Sequence, residues 1–224
     1  MSLLTDLAFS KFHMLLSINP INPQARLIQQ VVDVLNNDGV IIYPTDTVYG
    51  LGCSIFSKKA MKRLQQIKNS NDHSGMNPKK PLTFICANQT EVQEYTQGIP
   101  TQVFKLLRRK LPGPYTFVFK AAKIVPKMML TPRNIVGLRW PNHPITNEIV
   151  KTFGHPILSI SLRISEDELY DDPHELHEKY KKQVDLIVDG GTIFAENSTI
   201  IDFSHGEAEI VRMGKGPVDW LEVV

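Results

Sequence analysis

The sequence lacks the features that mark several large classes of protein. Its 224 residues include two cysteines, Cys53 and Cys86, and no CxxC pair, so neither a zinc ribbon nor a disulfide framework is indicated. No apolar run is long enough for a membrane helix, and the first 16 residues contain Asp6 and no small-residue cleavage site. We therefore expect a protein of the reducing cytoplasm with no membrane partner.

Common nucleotide, hydrolase and metal motifs are also missing. Gly214-Lys215-Gly216 has neither the spacing of a Walker A motif nor the Ser or Thr that follows it. No GxGxxG follows a predicted strand, and GxSxG does not occur. His174 and His177 lie three residues apart among acids, where an exposed helix face explains them better than a metal site. The sequence thus predicts no protein-bound metal, and any nucleotide must bind by another route.

The net charge of +2 hides an uneven distribution of charged residues. From Lys58 to Arg139 there are 16 Lys and Arg and three acids, a local balance of +13, so the rest of the chain carries −11. A single exposed lysine needs no partner, but a block of this size favours an anionic one. The middle of the chain is therefore expected to attract phosphates, nucleotides or RNA.

Short apolar runs alternate with amphipathic segments along the chain. The candidate strands are Val40–Tyr43, Pro81–Cys86, Tyr115–Ala121, Ile135–Arg139, Ile157–Leu162, Val184–Val188, Thr199–Phe203 and Glu209–Arg212. These eight segments, taken as a sheet of about seven strands interleaved with helices, predict one three-layer α/β domain with a twisted mixed sheet.

Helix signals and composition divide the chain further. A helix is predicted to start at Asn22-Pro23 and another after Ser57, with later helices at Thr101–Leu111, Pro144–Phe153 and from Pro173. The polar stretch Asn69–Lys80, with Gly75 and Pro78, is predicted to be a mobile lid. We expect residues 1–17 to form a loosely held arm, residues 18–213 the domain, and residues 214–224 a tail packed on it.

The stretch from Val40 to Cys53, VIIYPTDTVYGLGC, carries the strongest local signal. A buried strand is stopped by Pro44, and two hydroxyls and a carboxylate follow at once as Thr45-Asp46-Thr47. Ligands in open α/β sheets bind beyond the carboxyl ends of strands, so this triplet is a candidate small-molecule site. An ordinary turn with hydroxyl and Asx caps is an equally good interpretation.

Other candidate residues lie on or next to later strands. Ser159 and Ser161 share one face of a strand, where they either contact a ligand or soften a sheet edge. Arg139 ends a strand before Trp140-Pro141, and a buried arginine usually has an anionic partner, either a ligand carboxylate or a structural Asp. Thr116 and Arg212 occupy further strands and are candidates for the same site.

Six segments in order resemble the YrdC/YciO family: VIIYPTDTVYGLGC, PLTFIC, PGPYTFVFKA, VGLRWPNHPI, PILSISL and VDLIVDGG. The resemblance runs from about Asn22 to Arg212, nearly the whole chain. It implies a twisted, mixed sheet flanked by helices around a basic concave cavity. It also implies the family's best-known activity, in which L-threonine, bicarbonate or CO2, and ATP with Mg²⁺ give threonylcarbamoyl-AMP for tRNA modification. Members are also described as binding double-stranded RNA, so tRNA or double-stranded RNA is an expected partner.

The resemblance carries roles onto matching positions. It implies a threonine or carbamate pocket formed by Thr45, Thr47, Tyr49, Arg139 and Ser161, with Arg139 on the threonine carboxylate. It implies a nucleotide site formed by Lys68, Thr116, Ser159 and Arg212, with Lys68 facing the phosphates as the catalytic cation.

Two departures from the synthase pattern make the chain similar to the YciO branch. The family's K-x-R motif is here Lys68-Asn69-Ser70, without its arginine, and Arg163 replaces the asparagine of S-x-S-x-N. Lysine in the following loop, Lys79 or Lys80, would not reproduce a bidentate guanidinium. We therefore expect an altered or weakened synthase. The alternatives are an RNA-binding module without chemistry and a hydrolase of a related acyl adenylate.

Overall fold

Ten strands form one mixed sheet in the computed structural model, which describes residues 14–71, 80–165 and 168–223. The strands are β1 Met14–Ser17, β2 Val40–Tyr43, β3 Gly50–Ser54, β4 Thr83–Ile85, β5 Tyr115–Lys120, β6 Ile135–Arg139, β7 Ile157–Ser161, β8 Leu186–Asp189, β9 Thr199–Asp202 and β10 Glu209–Arg212. Their spatial order is β1-β8-β2-β3-β7-β4-β6-β5-β9-β10. Strands distant in sequence are therefore neighbours at the centre of the sheet.

Parallel and antiparallel pairs are mixed across this sheet. β8 pairs in parallel with both β1 and β2, β4 with β6, and β5 with β9. The remaining neighbours are antiparallel, including the central series β2-β3-β7-β4. Mixed sheets of this kind carry helices on their faces because both faces are apolar.

Six α-helices flank the sheet in the described ranges. They are α1 Ala25–Asn36, α2 Lys58–Asn71, α3 Gln89–Glu94, α4 Thr101–Lys110, α5 Pro144–Phe153 and α6 Pro173–Tyr180, with short 3₁₀ turns at Lys127–Met129 and Asp219–Val223. Ser57 caps α2 by accepting the Ala60 N–H at 3.0 Å, and Gly154 ends α5 with φ of 82°. None of the described helices is both long and apolar enough to cross a membrane.

Two hydrophobic clusters lie on opposite faces of the sheet. Along β2, Val40 and Ile42 belong to the larger cluster, and Ile41 and Tyr43 belong to the smaller one. This alternation is what a strand buried on both faces requires. The smaller cluster is covered by α1 and α5, and the larger one contains residues of α2, α3, α4 and α6. The three-layer arrangement predicted from the sequence is confirmed.

The single α/β domain with a mixed sheet is also confirmed, but with ten strands instead of about seven. Residues 14–17 were predicted to belong to the arm, and they instead form β1, which pairs with Leu186–Asp189. The strand β3 is not among the predicted strands, since its Gly50 and Gly52 have low strand propensity.

Three predicted boundaries differ from the structure. The first helix begins at Ala25 after Gln24, not at Asn22-Pro23, because Asn19 accepts the N–H groups of residues 21 and 22 in a separate turn. Helix α2 continues through Asn69 to Asn71, so the predicted lid cannot begin at residue 69. The rest of that segment, residues 72–79, lies outside the described residues, as do residues 1–13.

The C-terminal segment packs on the domain. The Thr199 hydroxyl donates to Gly216 O at 2.6 Å, and the Lys215 N–H donates to Asn197 O at 2.9 Å. Trp220 packs edge-on against Tyr115, with ring centroids 5.8 Å apart. These contacts hold the segment against β5 and the residues that precede β9.

Gly52 has no space for a side chain, and replacing it with alanine should destabilise the fold. A Cβ there would lie 2.7 Å from Tyr43 Cε1 and 3.1 Å from Leu158 O. We expect Gly52→Ala to lower the free energy of unfolding by about 1–3 kcal/mol in urea denaturation. In a Tyr43→Ala background the same change should cost much less. An equal cost in both backgrounds would show that the Tyr43 ring is not the cause.

Candidate anion-binding site on the sheet

A row of small and polar residues crosses the centre of the sheet. Gly52 pairs laterally with Ser159, Ser159 with Thr83, and Thr83 with Gly137. Laterally paired residues share a face. Ile157, two residues before Ser159, lies in the cluster under α1 and α5, so the row continues that face beyond the apolar region.

Tyr43 covers part of this row. Its ring lies over the two glycines of β3, where a Cβ on Gly50 would be 3.1 Å from its Cζ. Its hydroxyl lies 2.6 Å from Ser159 Oγ. Burial raises the pKa of Tyr43 well above its ordinary value, so the hydroxyl stays protonated and can donate this bond. Ser159, predicted from the sequence, is therefore oriented by a residue that sequence reasoning did not include.

The Thr45-Asp46-Thr47 triplet serves both as a turn and as part of a site. The Thr45 hydroxyl donates to Val48 O at 2.6 Å and accepts the N–H groups of Thr47 and Val48 at 3.2 and 3.1 Å. Thr45 is thus committed to folding the turn. Asp46 and Thr47 point towards β6, where they meet Arg139.

Arg139 is buried and ion-paired to Asp46. Its Nη2 donates to Asp46 Oδ1 at 2.7 Å and to Thr47 Oγ1 at 2.8 Å, and the two charged side chains are 6% and 11% exposed. The other oxygen of Asp46 accepts the Asn142 N–H at 2.9 Å. The Nε of Arg139 is buried, and no acceptor among the described residues reaches it. The anionic partner that the sequence required is therefore a structural Asp.

Ser198 brings two predicted residues together. Its carbonyl oxygen accepts from Arg212 Nε at 3.1 Å and Nη2 at 2.8 Å, and its hydroxyl lies 2.9 Å from Thr116 Oγ1. Sequence reasoning missed Ser198. The signal that it offered was its position directly before β9, the parallel neighbour of β5, which carries Thr116.

Three arginines lie close together at this place. Burial and, to a smaller extent, the positive charges of Arg163 and Arg139 together lower the pKa of Arg212 to about 10. Arg163 Nη2 donates to Asn197 Oδ1 at 3.2 Å, and Lys215 Nζ donates to Asp46 O at 2.7 Å. We call Arg139, Arg163, Arg212 and Lys215 the basic cluster. Arg163 had been noted only as a departure from the family pattern, and its side chain reaches the candidate site.

The remaining predicted residues divide into two groups. Lys68, at the end of α2, extends towards the end of β7, where its Nζ lies 3.4 Å from Ser161 O. Tyr49 does not join them, because it is fully buried in the larger hydrophobic cluster on the opposite face and its hydroxyl donates to Gly191 O at 2.7 Å. The prediction that Tyr49 lines the threonine pocket disagrees with this placement. The hydrogen bond to Gly191 O, in the connection after β8, and burial among apolar residues hold the Tyr49 side chain in that place.

The histidines of α6 lie apart from this site. His174 is exposed, and His177 Nδ1 is 3.6 Å from Glu178 Oε1 on the same helix. Within the described ranges, no group of three or more His, Cys, Asp or Glu is placed to hold a metal ion.

Comparisons with known proteins assign the family. The family model Sua5_yciO_yrdC, described as telomere recombination, matches residues 33–214. YciO of Escherichia coli K12, an uncharacterised protein, is 38% identical over 90% of this chain and 95% of its own length. The chain belongs to the Sua5/YciO/YrdC family, which confirms the resemblance found in the sequence.

Threonylcarbamoyl-AMP synthase of Pyrococcus abyssi is a more distant relative, 28% identical over 83% of this chain and 53% of its own length. Among solved structures, E. coli YciO matches with a TM-score of 0.85 and 36% identity, covering 92% of this chain and 98% of YciO. P. abyssi Sua5 complexed with L-threonine matches with a TM-score of 0.84 and 24% identity, covering 94% of this chain and 60% of Sua5. At that identity the last match establishes the fold alone.

Removing Asp46 should be far more harmful than removing an exposed carboxylate. In Asp46→Ala, Arg139 stays buried without its charge partner, and we expect a loss of about 3–5 kcal/mol in the free energy of unfolding. The matched control is Glu148→Ala, since Glu148 pairs with Lys151 at 3.6 Å with side chains 45% and 74% exposed. That change should cost less than about 1 kcal/mol. Equal costs in thermal or urea denaturation would contradict the role assigned to the buried pair.

Proposed function

We propose that the protein binds ATP and L-threonine at the basic cluster and the row of small and polar residues on the sheet, and that it forms threonylcarbamoyl-AMP slowly. The observation that carries the proposal is that Arg163 and Arg212 bond to the successive residues Asn197 and Ser198, next to the hydroxyls of Thr116 and Ser198. The threonylcarbamoyl-AMP synthase relative and the L-threonine complex of P. abyssi Sua5 support this choice of substrates.

Like charges held together favour an anion between them. Asp46 already neutralises Arg139. Two unit charges 4 Å apart interact by about 4 kcal/mol at the effective dielectric of a protein surface, so an anion that contacts Arg163 and Arg212 would relieve the repulsion that remains. Guanidinium groups also bind phosphate and carboxylate oxygens in a bidentate way. A nucleoside triphosphate and an amino-acid carboxylate are both anions of this kind.

The proposed reaction needs positioning and charge neutralisation, and it needs no covalent enzyme nucleophile. The threonine amine adds to CO2 and loses a proton, which gives a carbamate. A carbamate oxygen then attacks the α-phosphorus of ATP, and the bond to the β-phosphate oxygen breaks as pyrophosphate leaves. Arginine and lysine side chains stabilise the charge that moves onto the leaving group. Lys68, beside the end of β7, is the cation proposed to face the phosphates.

A magnesium ion fits this site only through the nucleotide. Both oxygens of Asp46 are engaged, one with Arg139 and the other with the Asn142 N–H. Mg²⁺ is commonly held by one or two carboxylates together with substrate phosphates, and it keeps several waters. The phosphate oxygens would therefore supply most of its ligands, and the ion would add positive charge to the pyrophosphate as it leaves.

The missing arginine of the K-x-R motif is the reason for proposing a slow reaction. Loss of one donor that stabilises transition-state charge costs about 2.7–4 kcal/mol, or roughly 100- to 1000-fold in rate. Arg163, in the connection that follows β7, supplies another guanidinium next to Asn197. We infer that Arg163 helps to bind the phosphates of ATP. It only partly replaces the missing arginine in stabilising the charge on departing pyrophosphate.

Exposed cations on the other side of the sheet favour a second candidate function. Lys58, Lys59 and Lys62 of α2 and Arg108 and Arg109 of α4 are exposed. Both helices cover the larger hydrophobic cluster, so this part of the charge block lies away from the basic cluster. Such a surface is suited to phosphate backbones, and binding of double-stranded RNA or tRNA there is the second candidate.

The synthase proposal is tested by incubating the protein with ATP, threonine, bicarbonate and Mg²⁺ and following pyrophosphate and the adenylate by chromatography. We expect slow, threonine-dependent release of pyrophosphate with a matching amount of adenylate. Absence of threonine-dependent pyrophosphate would remove the synthase proposal. Consumption of added threonylcarbamoyl-AMP without its formation would favour the hydrolase alternative, and salt-dependent RNA binding without either activity would favour the RNA module.

Arg163 is predicted to contribute directly to ATP affinity. A charge-assisted hydrogen bond is worth about 1.5–3 kcal/mol, so Arg163→Ala should weaken ATP binding by roughly 10- to 100-fold in calorimetry. Arg26→Ala is the matched control, because Arg26 is an exposed arginine at the start of α1, and its removal should leave ATP affinity unchanged. Similar affinities for the two variants would contradict the placement of the phosphates at the basic cluster.

A further inference from the structure

An exposed aromatic ring lies beside the basic cluster and has no role in the mechanism above. Phe194 is 81% exposed, in the irregular connection between β8 and β9. We propose that Phe194 is the platform on which the base of the bound nucleotide stacks. This inference rests on the proposed nucleotide binding, and it adds the part of the site that receives the base.

The backbone on both sides of Phe194 is fixed. The Ile193 N–H donates to Asp171 O at 3.0 Å, and the Glu196 N–H donates to Thr47 O at 3.0 Å. The second bond ties the connection to the turn that supplies Asp46. The ring is therefore presented from an anchored segment, although the side chain itself stays open to solvent.

Lys215 connects the ring to the basic cluster. Its Nζ lies 6.0 Å from the centroid of the Phe194 ring, and the same atom donates to Asp46 O at 2.7 Å. Asp46 in turn is 2.7 Å from Arg139 Nη2. The Lys215 N–H bonds to the carbonyl of Asn197, whose side chain accepts from Arg163. A ligand with phosphates on the basic cluster thus has a flat apolar surface beside Lys215, one member of that cluster.

Nucleotides combine the two chemistries that meet here. The phosphates are anions, and the base has a flat π-face that stacks on aromatic side chains with about 1–3 kcal/mol per base. L-threonine has no ring, so it cannot use this surface. Stacking does not read the hydrogen-bonding edge of a base, so Phe194 should favour any purine and contribute little to the choice between adenine and guanine.

A single exposed phenylalanine is common on protein surfaces, so a second one serves as the control. Phe56 is 55% exposed and packs edge-on against His155, with ring centroids 4.8 Å apart. Phe56 lies just after the last residue of β3. None of the contacts of the described residues joins it to the basic cluster. Phe56→Ala removes the same ring at a place where no stacking is proposed.

The test measures binding of ATP and of inorganic tripolyphosphate by calorimetry for the wild-type protein, Phe194→Ala, Phe194→Trp and Phe56→Ala. Phe194→Ala should weaken ATP binding by roughly 5- to 100-fold and leave tripolyphosphate binding within about twofold. Phe194→Trp should retain ATP affinity, and Phe56→Ala should behave as the wild type. GTP should lose affinity with Phe194→Ala by a similar factor.

Failure of this inference is distinguishable from failure of the proposed function. If the wild type binds ATP and Phe194→Ala binds it equally well, or loses tripolyphosphate to the same degree, the stacking proposal is wrong and the nucleotide site stands. If the wild type binds tripolyphosphate but gains nothing from the base of ATP, stacking is likewise excluded. If the wild type binds neither ligand, both proposals fall together.

Discussion

The buried ion pair between Arg139 and Asp46 holds the candidate site together. Asp46 lies in the turn after β2, and Arg139 ends β6, so the pair joins two strands that are not neighbours in the sheet. Charges this deeply buried must be paired, because each alone would cost several kcal/mol in desolvation. Thr47, Asn142 and Lys215 bond to the same two residues or their backbone. The ion pair therefore fixes where the other cations can lie.

The fold was largely readable from the sequence because its signals are local. The strand β6, Ile135–Arg139, and the helix Pro144–Phe153 have the bounds predicted from apolar runs, proline and a terminal glycine. The edge strand β1 has four residues and, within the described ranges, pairs with β8 alone, far along the chain, so it has no local signal. The strand β3 could not be predicted from local sequence. Its glycines are needed because the Tyr43 ring lies over them, and that contact forms only in the folded sheet.

The sequence predicted several residues of the candidate site, but it did not predict which residues they contact. Arg139, Thr116, Ser159 and Arg212 were predicted from their places on strands and from the family resemblance, and in the structure each has a hydrogen-bonding partner. No local pattern could decide whether the anionic partner of Arg139 is a ligand or a structural Asp. Asp46 is 93 residues away, and only folding brings it within 2.7 Å. Ser198, and the bond by which Arg163 reaches Asn197, were missed for the same reason.

The residues of the basic cluster lie far apart along the chain, and this spacing links ligand binding to the stability of the fold. The four members and their partners Asp46 and Ser198 are spread over residues 46–215, so no short fragment of the chain contains the site. Contacts between residues this far apart form only when the whole sheet closes, and such closure is slow compared with local folding. An anion that binds the closed sheet and not the open chain adds to its stability by mass action. Ligand concentration in the cell would then protect the protein against unfolding and proteolysis, in addition to setting its occupancy.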